Sequence, residues 1–226
     1  MHNLDGIDRI NRIDRIGSID DIKQLVGTAP VFLMIGHGSR NQFASITKLK
    51  RCLEHVSKDI PVGAYMLYFG DSPNVKTPDI GYAFQLLAEM RPDIHMLMIQ
   101  ISEAKSWGVP GFVESVLWHE DFPSTGDCKW GGFTKSMRPC SNTKQWVRLH
   151  KALPSGITKM FVLGGGPITV KEMTYGNKLG IPIEYYPMER RFLGDKETRS
   201  KKNGTMAERY GPTYSKGRRF TRKMRR

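Results

Sequence analysis

The sequence contains only three cysteines, Cys52, Cys128 and Cys140, and it has no Cys-x-x-Cys pair. Cysteines this few and this widely spaced exclude a disulfide framework and the common zinc-binding motifs. We therefore predict no metal site and expect a reducing compartment, the cytoplasm or the nucleus.

Long hydrophobic runs are also lacking. The longest ones, Val31–Ile35 and Met96–Ile99, have the length of a β-strand. A transmembrane helix requires ~20 consecutive apolar residues. The N-terminal region contains no apolar run of the kind found in a signal peptide. We therefore expect no membrane contact and no targeting segment.

Charge of one sign dominates only at the C-terminus. The formal net charge is +13, and the segment Arg190–Arg226 holds fourteen basic and three acidic residues. This segment contributes +11, which leaves +2 for the other 189 residues. The distribution indicates a nearly neutral domain with a basic tail, rather than a basic domain.

Isoleucine recurs at every third position near the N-terminus, at residues 7, 10, 13, 16, 19 and 22. This spacing drifts around a helix, whose period is about 3.6 residues, so the pattern indicates either a poorly ordered arm or a helix that docks on a partner. A short helix is predicted to start at Ser18 and to end near Gly27. We divide the chain into an N-terminal arm (1–27), a folded domain (28–191) and a basic tail (192–226).

Strand-like and helix-like segments alternate through the domain. Val31–Ile35 is typical of a strand buried on both faces of a parallel sheet. Further strands are predicted at 62–69, 93–101, 158–163 and 181–186. Helices are predicted at 42–56, from 78 to about 90, at 143–153 behind an N-cap at Ser141-Asn142, and at 170–179. Residues 109–117 could form a helix or a strand, and 119–138 are loop-like. The alternation predicts an α/β fold, a Rossmann-like three-layer sandwich with a mostly parallel central sheet.

The clearest functional motif is the glycine-rich turn Gly164-Gly165-Gly166 between a strand and a helix. Glycines let the backbone approach a phosphate, and the N–H groups at the helix N-terminus can bind it. Thr169 could cap the helix or contact the ligand, and Glu172, one turn further on, faces the same edge. The alternative is an ordinary tight turn in which the glycines only permit the geometry.

The stretch GGGPITVKE, followed by YGNKLGIPIEYYP, resembles the GG-x-GT-x-x-E strand–turn–helix of the SLOG superfamily. That group includes lysine-decarboxylase-like phosphoribohydrolases, and its relatives include nucleoside deoxyribosyltransferases. The resemblance implies a Rossmann-like fold, a nucleotide-derived ligand and, in some members, cleavage of an N-glycosidic bond. Thr169 and Glu172 match the motif's Thr and Glu. Ile168, after Pro167, replaces a Gly that the family usually has, which favours binding over catalysis.

A second turn, Gly36-His37-Gly38-Ser39-Arg40, follows the first strand. The resemblance to the SLOG superfamily implies that this turn is the other half of the phosphate site. Gly36 and Gly38 would expose N–H groups, Ser39 would contact the ligand, and Arg40 would bind phosphate through two hydrogen bonds. The same turn resembles the opening of sirohydrochlorin-type chelatases, but that family needs a second His in the opposite half, and His95 falls within a predicted strand. His37 could also be a hydrogen-bonded residue at a strand end.

A third turn contains Asp71, and Asp79 begins the helix that follows it. Deoxyribosyltransferases carry an Asp and a Glu at this edge to hold the sugar and form the glycosyl intermediate. By that analogy Asp71 and Asp79 could act on a sugar. Turn and N-cap roles are the alternative.

The basic tail could bind nucleic acid. Its strongest cluster consists of Arg218, Arg219, Arg222, Lys223, Arg225 and Arg226. Such a cluster can neutralise several phosphates without sequence preference. Tyr210, Tyr214 and Phe220 lie among the basic residues and could stack on bases. A nuclear-import signal or a solvated terminus would have the same composition.

We therefore predict a protein that binds a nucleotide or another phosphorylated small molecule, and that needs no cofactor. Its catalytic form would be an N-glycosidic hydrolase or transferase, with Glu172 or Asp71 acting on the sugar carbon. The alternative is a non-catalytic nucleic-acid-binding protein that uses the tail. The sequence does not indicate an oligomeric state.

Overall fold

The computed structural model describes residues 14–38, 41–69, 78–120, 133 and 138–192. The strands are β1 (Asp14–Ile16), β2 (Val31–Gly36), β3 (Asn41–Phe43), β4 (Tyr65–Tyr68), β5 (His95–Ile101), β6 (Ser115–His119), β7 (Lys159–Leu163), β8 (Ile183–Tyr186) and β9 (Arg190–Phe192). The helices are α1 (Ile19–Val26), α2 (Ile46–Lys58), α3 (Ile80–Met90), α4 (Ser141–Ala152) and α5 (Pro167–Lys178), with a 3₁₀ helix at Ser102–Trp107.

Seven strands form one sheet in the order β1-β6-β5-β4-β2-β7-β8, and every neighbouring pair is parallel. From β2 the chain adds β4, β5 and β6 on one side, and then crosses over to add β7 and β8 on the other. The predicted α/β class with a parallel sheet is confirmed, and the strand order is Rossmann-like. The strands β3 and β9 form a separate antiparallel ribbon.

The sheet is buried on both faces. In β2, Phe32 and Met34 pack on the side of α2 and α3. Leu33 and Ile35 alternate with them and pack on the opposite side, against residues of α1, α4 and α5. This explains why β2 is a continuous apolar run in the sequence.

The predicted N-terminal helix is present as α1. The Ser18 hydroxyl caps it by accepting from the Asp21 N–H at 3.2 Å, and Gly27 ends it with a positive φ of 56°. Strand β1 precedes α1 and pairs with β6, and Ile22 is fully buried. Strand β1 and helix α1 therefore belong to the folded core, although they lie within the stretch that we assigned to the N-terminal arm.

Several element boundaries differ from the prediction. Helix α2 starts at Ile46 rather than at residue 42, because residues 41–43 pair with β9 and Ser45 caps the helix. The N-cap of α4 is Cys140 rather than Ser141-Asn142, and α5 starts earlier than predicted, at Pro167. The undecided stretch at 109–117 ends in a strand, β6.

Cys52 is free and buried, and Cys140 is disulfide-bonded. No helix in the described part of the chain is both long and apolar enough to cross a membrane.

Candidate functional site

The two predicted glycine turns lie side by side. Strands β2 and β7 are neighbours, and Gly36 pairs with Leu163 at their carboxyl ends. The chain continues from these residues into the turns at Gly38 and at Gly164–Gly166. This is the point at which the strand order reverses, where open α/β sheets bind their ligands.

His37 lies between the two turns and is completely buried. Its Nδ1 accepts a hydrogen bond from the Gly165 N–H at 3.2 Å, and its Nε2 lies 3.1 Å from the Met188 carbonyl oxygen. Because an N–H only donates and a carbonyl only accepts, the ring is neutral and carries its proton on Nε2. The edge-on ring of Phe43, 5.1 Å away between centroids, covers it. His37 therefore holds the glycine turn, as the hydrogen-bonded alternative predicted.

Thr169 joins α5 to β2. Its hydroxyl accepts from the Gly166 N–H at 3.4 Å and donates to the Gly36 carbonyl oxygen at 3.2 Å. The Gly164 N–H donates to the Tyr186 carbonyl oxygen at 2.9 Å. All three N–H groups of Gly164–Gly166 are thus used inside the protein.

Packing explains three of the glycines. A Cβ on Gly36 would lie 2.5 Å from the Leu163 carbonyl oxygen, and one on Gly164 would lie 2.4 Å from the His37 ring. A Cβ on Gly165 would lie 2.5 Å from the Thr169 side chain. Gly164 and Gly165 also have positive φ angles of 64° and 114°, which favour glycine.

Gly38 and Gly166 are different. A Cβ on either would meet no atom of the described residues within 4 Å, and neither has a positive φ. Gly166 is the N-cap of α5. The next backbone donors, the N–H groups of Ile168 and Thr169, lie in the first turn of α5 and have no acceptor within that helix. This open surface, formed by Gly38, Gly166 and the first turn of α5, suits an anion because the helix dipole and two N–H groups meet there.

Glu172 lies one turn further along α5 and is half-buried. The Thr143 hydroxyl donates to its Oε1 at 3.3 Å. Burial raises the pKa of Glu172 to about 7, opposed by the interactions with Thr143 and Trp146. The Trp146 indole N–H makes no hydrogen bond of standard geometry, so its interaction with the carboxyl group is weak. With this pKa, both the protonated and the ionised forms of Glu172 are present near neutral pH.

A chain of amide hydrogen bonds lies at the same sheet edge. His119 Nε2 donates to Asn142 Oδ1 at 2.7 Å, Asn142 Nδ2 donates to Gln100 Oε1 at 2.7 Å, and Gln100 Nε2 donates to the Phe69 carbonyl oxygen at 3.2 Å. The chain fixes the start of α4, and with it Thr143, against β5 and β6. This network was not predicted. Its signal in the sequence is Gln100, a polar residue near the end of the mainly apolar strand β5.

Asp79 is buried and caps α3, accepting from the N–H groups of Gly81 at 2.9 Å and Tyr82 at 3.3 Å. This is the N-cap alternative, and its predicted role towards a ligand stays a prediction. The other predicted site residues lie outside the described residues: Ser39, Arg40, Asp71, Arg218, Arg219, Arg222, Lys223, Arg225 and Arg226.

Among the described residues, no group of three or more His, Cys, Asp or Glu side chains could hold a metal ion. The chain matches no protein-family model, and no curated protein is significantly similar to it.

Proposed function

We propose that the protein binds a nucleotide or a nucleoside phosphate at the carboxyl edge between β2 and β7. The observation that carries the proposal is the open surface at Gly38, Gly166 and the first turn of α5, at the point where the strand order reverses. A helix N-terminus at such a point suits a phosphate group. The resemblance of the GGGPITVKE stretch to the SLOG motif favours a nucleotide as the carrier of that phosphate.

The backbone groups that we propose as phosphate ligands differ from those predicted from the sequence. The N–H groups of Gly164–Gly166 already have acceptors, so these glycines shape the turn. The phosphate would lie on the outer side of the turn and accept from the N–H groups of Ile168 and Thr169. Ser39 and Arg40 follow Gly38 directly in the sequence and keep their predicted role as phosphate ligands.

Cleavage of an N-glycosidic bond is the catalytic form of this proposal. In this reaction the bond from the sugar carbon to the base breaks, and the oxygen of a water molecule, or an acceptor group in a transferase, bonds to that carbon. With a pKa of about 7, the Glu172 carboxyl group can give a proton to the departing base or, when ionised, stabilise positive charge at the sugar carbon. The hydroxyl of Thr143 would hold it in place. Asp71 remains the predicted partner at the sugar.

A thermal-shift series with the ribonucleoside and deoxyribonucleoside 5′-monophosphates tests binding, with the nucleosides and inorganic phosphate as controls. A ligand at 100 times its Kd stabilises by about 2.7 kcal/mol, which for a domain of this size raises the Tm by about 5–11 °C. No shift with any monophosphate would end the proposal. Chromatography of the same mixtures for free base tests catalysis, with Glu172→Gln as the inactive control. A shift without release of base would remove the catalytic form alone.

The second candidate is a non-catalytic protein that binds nucleic acid through its tail. It is favoured by the charge distribution, since Arg190–Arg226 carries +11 of the net charge of +13. This candidate predicts nucleic-acid affinity that falls steeply with salt and does not depend on the turns of the domain.

A further inference from the structure

The helices α4 and α5 lie side by side and run in the same direction. Three pairs of residues join them at the same separation of 29 residues: Thr143 with Glu172, Trp146 with Tyr175, and His150 with Leu179. The first pair is a hydrogen bond of 3.3 Å, and the second is a ring contact with centroids 6.5 Å apart. In the third pair, the imidazole interacts with the Leu179 backbone. A constant separation means that the two helices are parallel and in register.

Lysine side chains lie on the outer side of this helix pair. Leu149 of α4 and Met173 of α5 are completely buried in the core beneath it. A helix repeats every 3.6 residues, so positions two or five residues away from a buried one lie on the opposite side. Those positions are occupied by four lysines, Lys144, Lys151, Lys171 and Lys178, and the exposed Arg148 lies between the first two. We call this outer side the α4–α5 face.

The two helices contribute almost no negative charge to the α4–α5 face. Helix α4 contains no Asp or Glu. The single acid of α5, Glu172, is half-buried and accepts from the Thr143 hydroxyl. The neighbouring α1 differs, because Asp20 and Asp21 are exposed on it. The α4–α5 face is therefore a basic surface of the folded domain, distinct from the basic tail.

The spacing of the lysines matches a row of phosphates. Seven residues of helix rise about 10 Å, and the axes of packed helices lie about 8–10 Å apart. The four ammonium groups therefore occupy an area about 10 Å across. A nucleic-acid duplex carries one phosphate charge per about 1.7 Å of its axis, which gives about six phosphates over this distance.

The other side chains of the α4–α5 face favour a duplex over a single strand or a protein. Tyr175 packs its ring against Trp146 and Phe133, whereas sites for single strands present aromatic rings for stacking on bases. Protein–protein interfaces are depleted in lysine around an apolar centre. Interfaces with nucleic-acid duplexes are polar and strongly positive.

We propose that the α4–α5 face binds the phosphate backbone of a double-stranded nucleic acid, independently of its base sequence. The surface is separate from the edge between β2 and β7, so the inference does not rest on the function proposed above.

Fluorescence anisotropy on the full chain tests the inference, with labelled DNA and RNA duplexes of about 16 base pairs and mixed sequence. The face variant changes one arginine and three lysines to Gln: Arg148, Lys151, Lys171 and Lys178. The matched control also changes one arginine and three lysines to Gln, all exposed on α1 and α2: Arg51, Lys23, Lys50 and Lys58. Both variants lose the same charge and keep the same tail, so their difference reports on the α4–α5 face.

We expect the face variant to bind at least about tenfold more weakly than the wild type at about 50 mM salt. Four lost phosphate contacts should reduce the slope of log affinity against log salt by about 3–4. The matched control should lose much less affinity. Scanning fluorimetry should show both variants within about 2 °C of the wild-type Tm, because the substituted residues lie on the surface.

Lysine labelling of the wild type gives an independent measurement that needs no variant. An amine-reactive ester is added with and without the duplex, and mass spectrometry records the modification of each lysine. Bound phosphates should slow the labelling of Lys151, Lys171 and Lys178. The lysines of the matched control should react at the same rate in both samples.

An equal loss of affinity in the face variant and the matched control would overturn the inference, since binding would then follow net charge or the tail. Unprotected lysines on the α4–α5 face of a protein with bound duplex would overturn it as well, and this result decides if the face variant does not fold. A single strand of the same length that binds as tightly would overturn the double-stranded class. Polyglutamate that binds as tightly and is lost in the face variant would overturn nucleic acid as the partner.

Discussion

Replacing Gly166 by serine tests whether the outer side of the turn is a binding surface. Gly166 has an extended backbone (φ −120°, ψ −161°) at the N-cap of α5, which serine adopts readily. A serine Cβ would meet no described atom within 4 Å. A serine N-cap is a few tenths of a kcal/mol more favourable than a glycine N-cap, so we expect the Tm to rise by about 1 °C.

Gly165→Ala is the contrasting substitution, one residue away. Its φ of 114° would cost a residue with a side chain about 1–3 kcal/mol. The new Cβ, 2.5 Å from the Thr169 side chain, adds about 1–3 kcal/mol of overpacking. For a domain of this size the sum corresponds to a fall in Tm of about 4–24 °C.

Ligand binding should be weakened by Gly166→Ser, the substitution that leaves the fold stable. In the Gly166→Ser variant, the serine hydroxyl takes a hydrogen bond from the first turn of α5 that the phosphate would otherwise accept. Losing one hydrogen bond to a charged group costs about 1.5–3 kcal/mol, so the monophosphate should bind roughly 10- to 150-fold more weakly. Calorimetry measures this while scanning fluorimetry records the Tm. An unchanged affinity in a stable Gly166→Ser variant would refute a phosphate at this position, and a large fall in its Tm would refute the division of the glycines into two groups.

Substitutions at three other residues separate structural from functional roles. His37→Phe keeps the ring but leaves the Gly165 N–H and the Met188 carbonyl group buried without their partner, so urea denaturation should show a loss of about 2–6 kcal/mol; a loss below 1 kcal/mol would contradict the assigned bonds. Asp79→Ala should cost about 1 kcal/mol through the lost N-cap, whereas Asp79→Asn keeps the cap and should affect binding only if the charge contacts the ligand. For Glu172 the folded pKa is raised, so the folded state binds more protons and wild-type stability falls as the pH rises from about 4.5 to 7. Glu172→Gln has no carboxyl group to titrate, so its stability should not fall in this way. From pH 5 to pH 8, its free energy of unfolding relative to the wild type should rise by about 1–2 kcal/mol, a value reduced for the partial exposure of the side chain. Parallel curves of unfolding free energy against pH would contradict the raised pKa.

The parallel sheet could be predicted because its central strands are buried on both faces. Such strands are continuous apolar runs in the sequence, as in β2 and β7. The short strands β1 and β3 could not be predicted in this way. Asn41–Phe43 is a strand only because Arg190–Phe192 lies beside it, and nothing local in the three residues requires it. Because of this pairing, helix α2 is shorter than the helix predicted at 42–56.

The adjacency of the two glycine turns could be predicted for a related reason. Parallel strands end at one edge, so the turns after Gly36 and Leu163 had to meet if their strands were neighbours. It could not be predicted which backbone N–H groups of the turn form hydrogen bonds inside the protein. That depends on His37, which reaches Gly165 and Met188 across more than a hundred residues of chain. The raised pKa of Glu172 depends in the same way on burial against α4.

The hydrogen bond from Gly165 to His37 decides where a phosphate can lie. One N–H makes one good hydrogen bond, so a phosphate on Gly165 would have to displace the ring of His37. The displaced Nδ1 would be left unpaired in a fully buried position, which costs about 1–3 kcal/mol. The outer side carries no such cost, because the N–H groups of Ile168 and Thr169 lie in the first turn of α5 and have no acceptor within that helix. Pro167 fits this arrangement. Proline has no N–H, but at the first helical position that group would have no partner in the helix, and the N–H groups of the next two residues are unaffected. The departure from the SLOG motif at Pro167-Ile168 is therefore compatible with phosphate binding on the outer face of the turn.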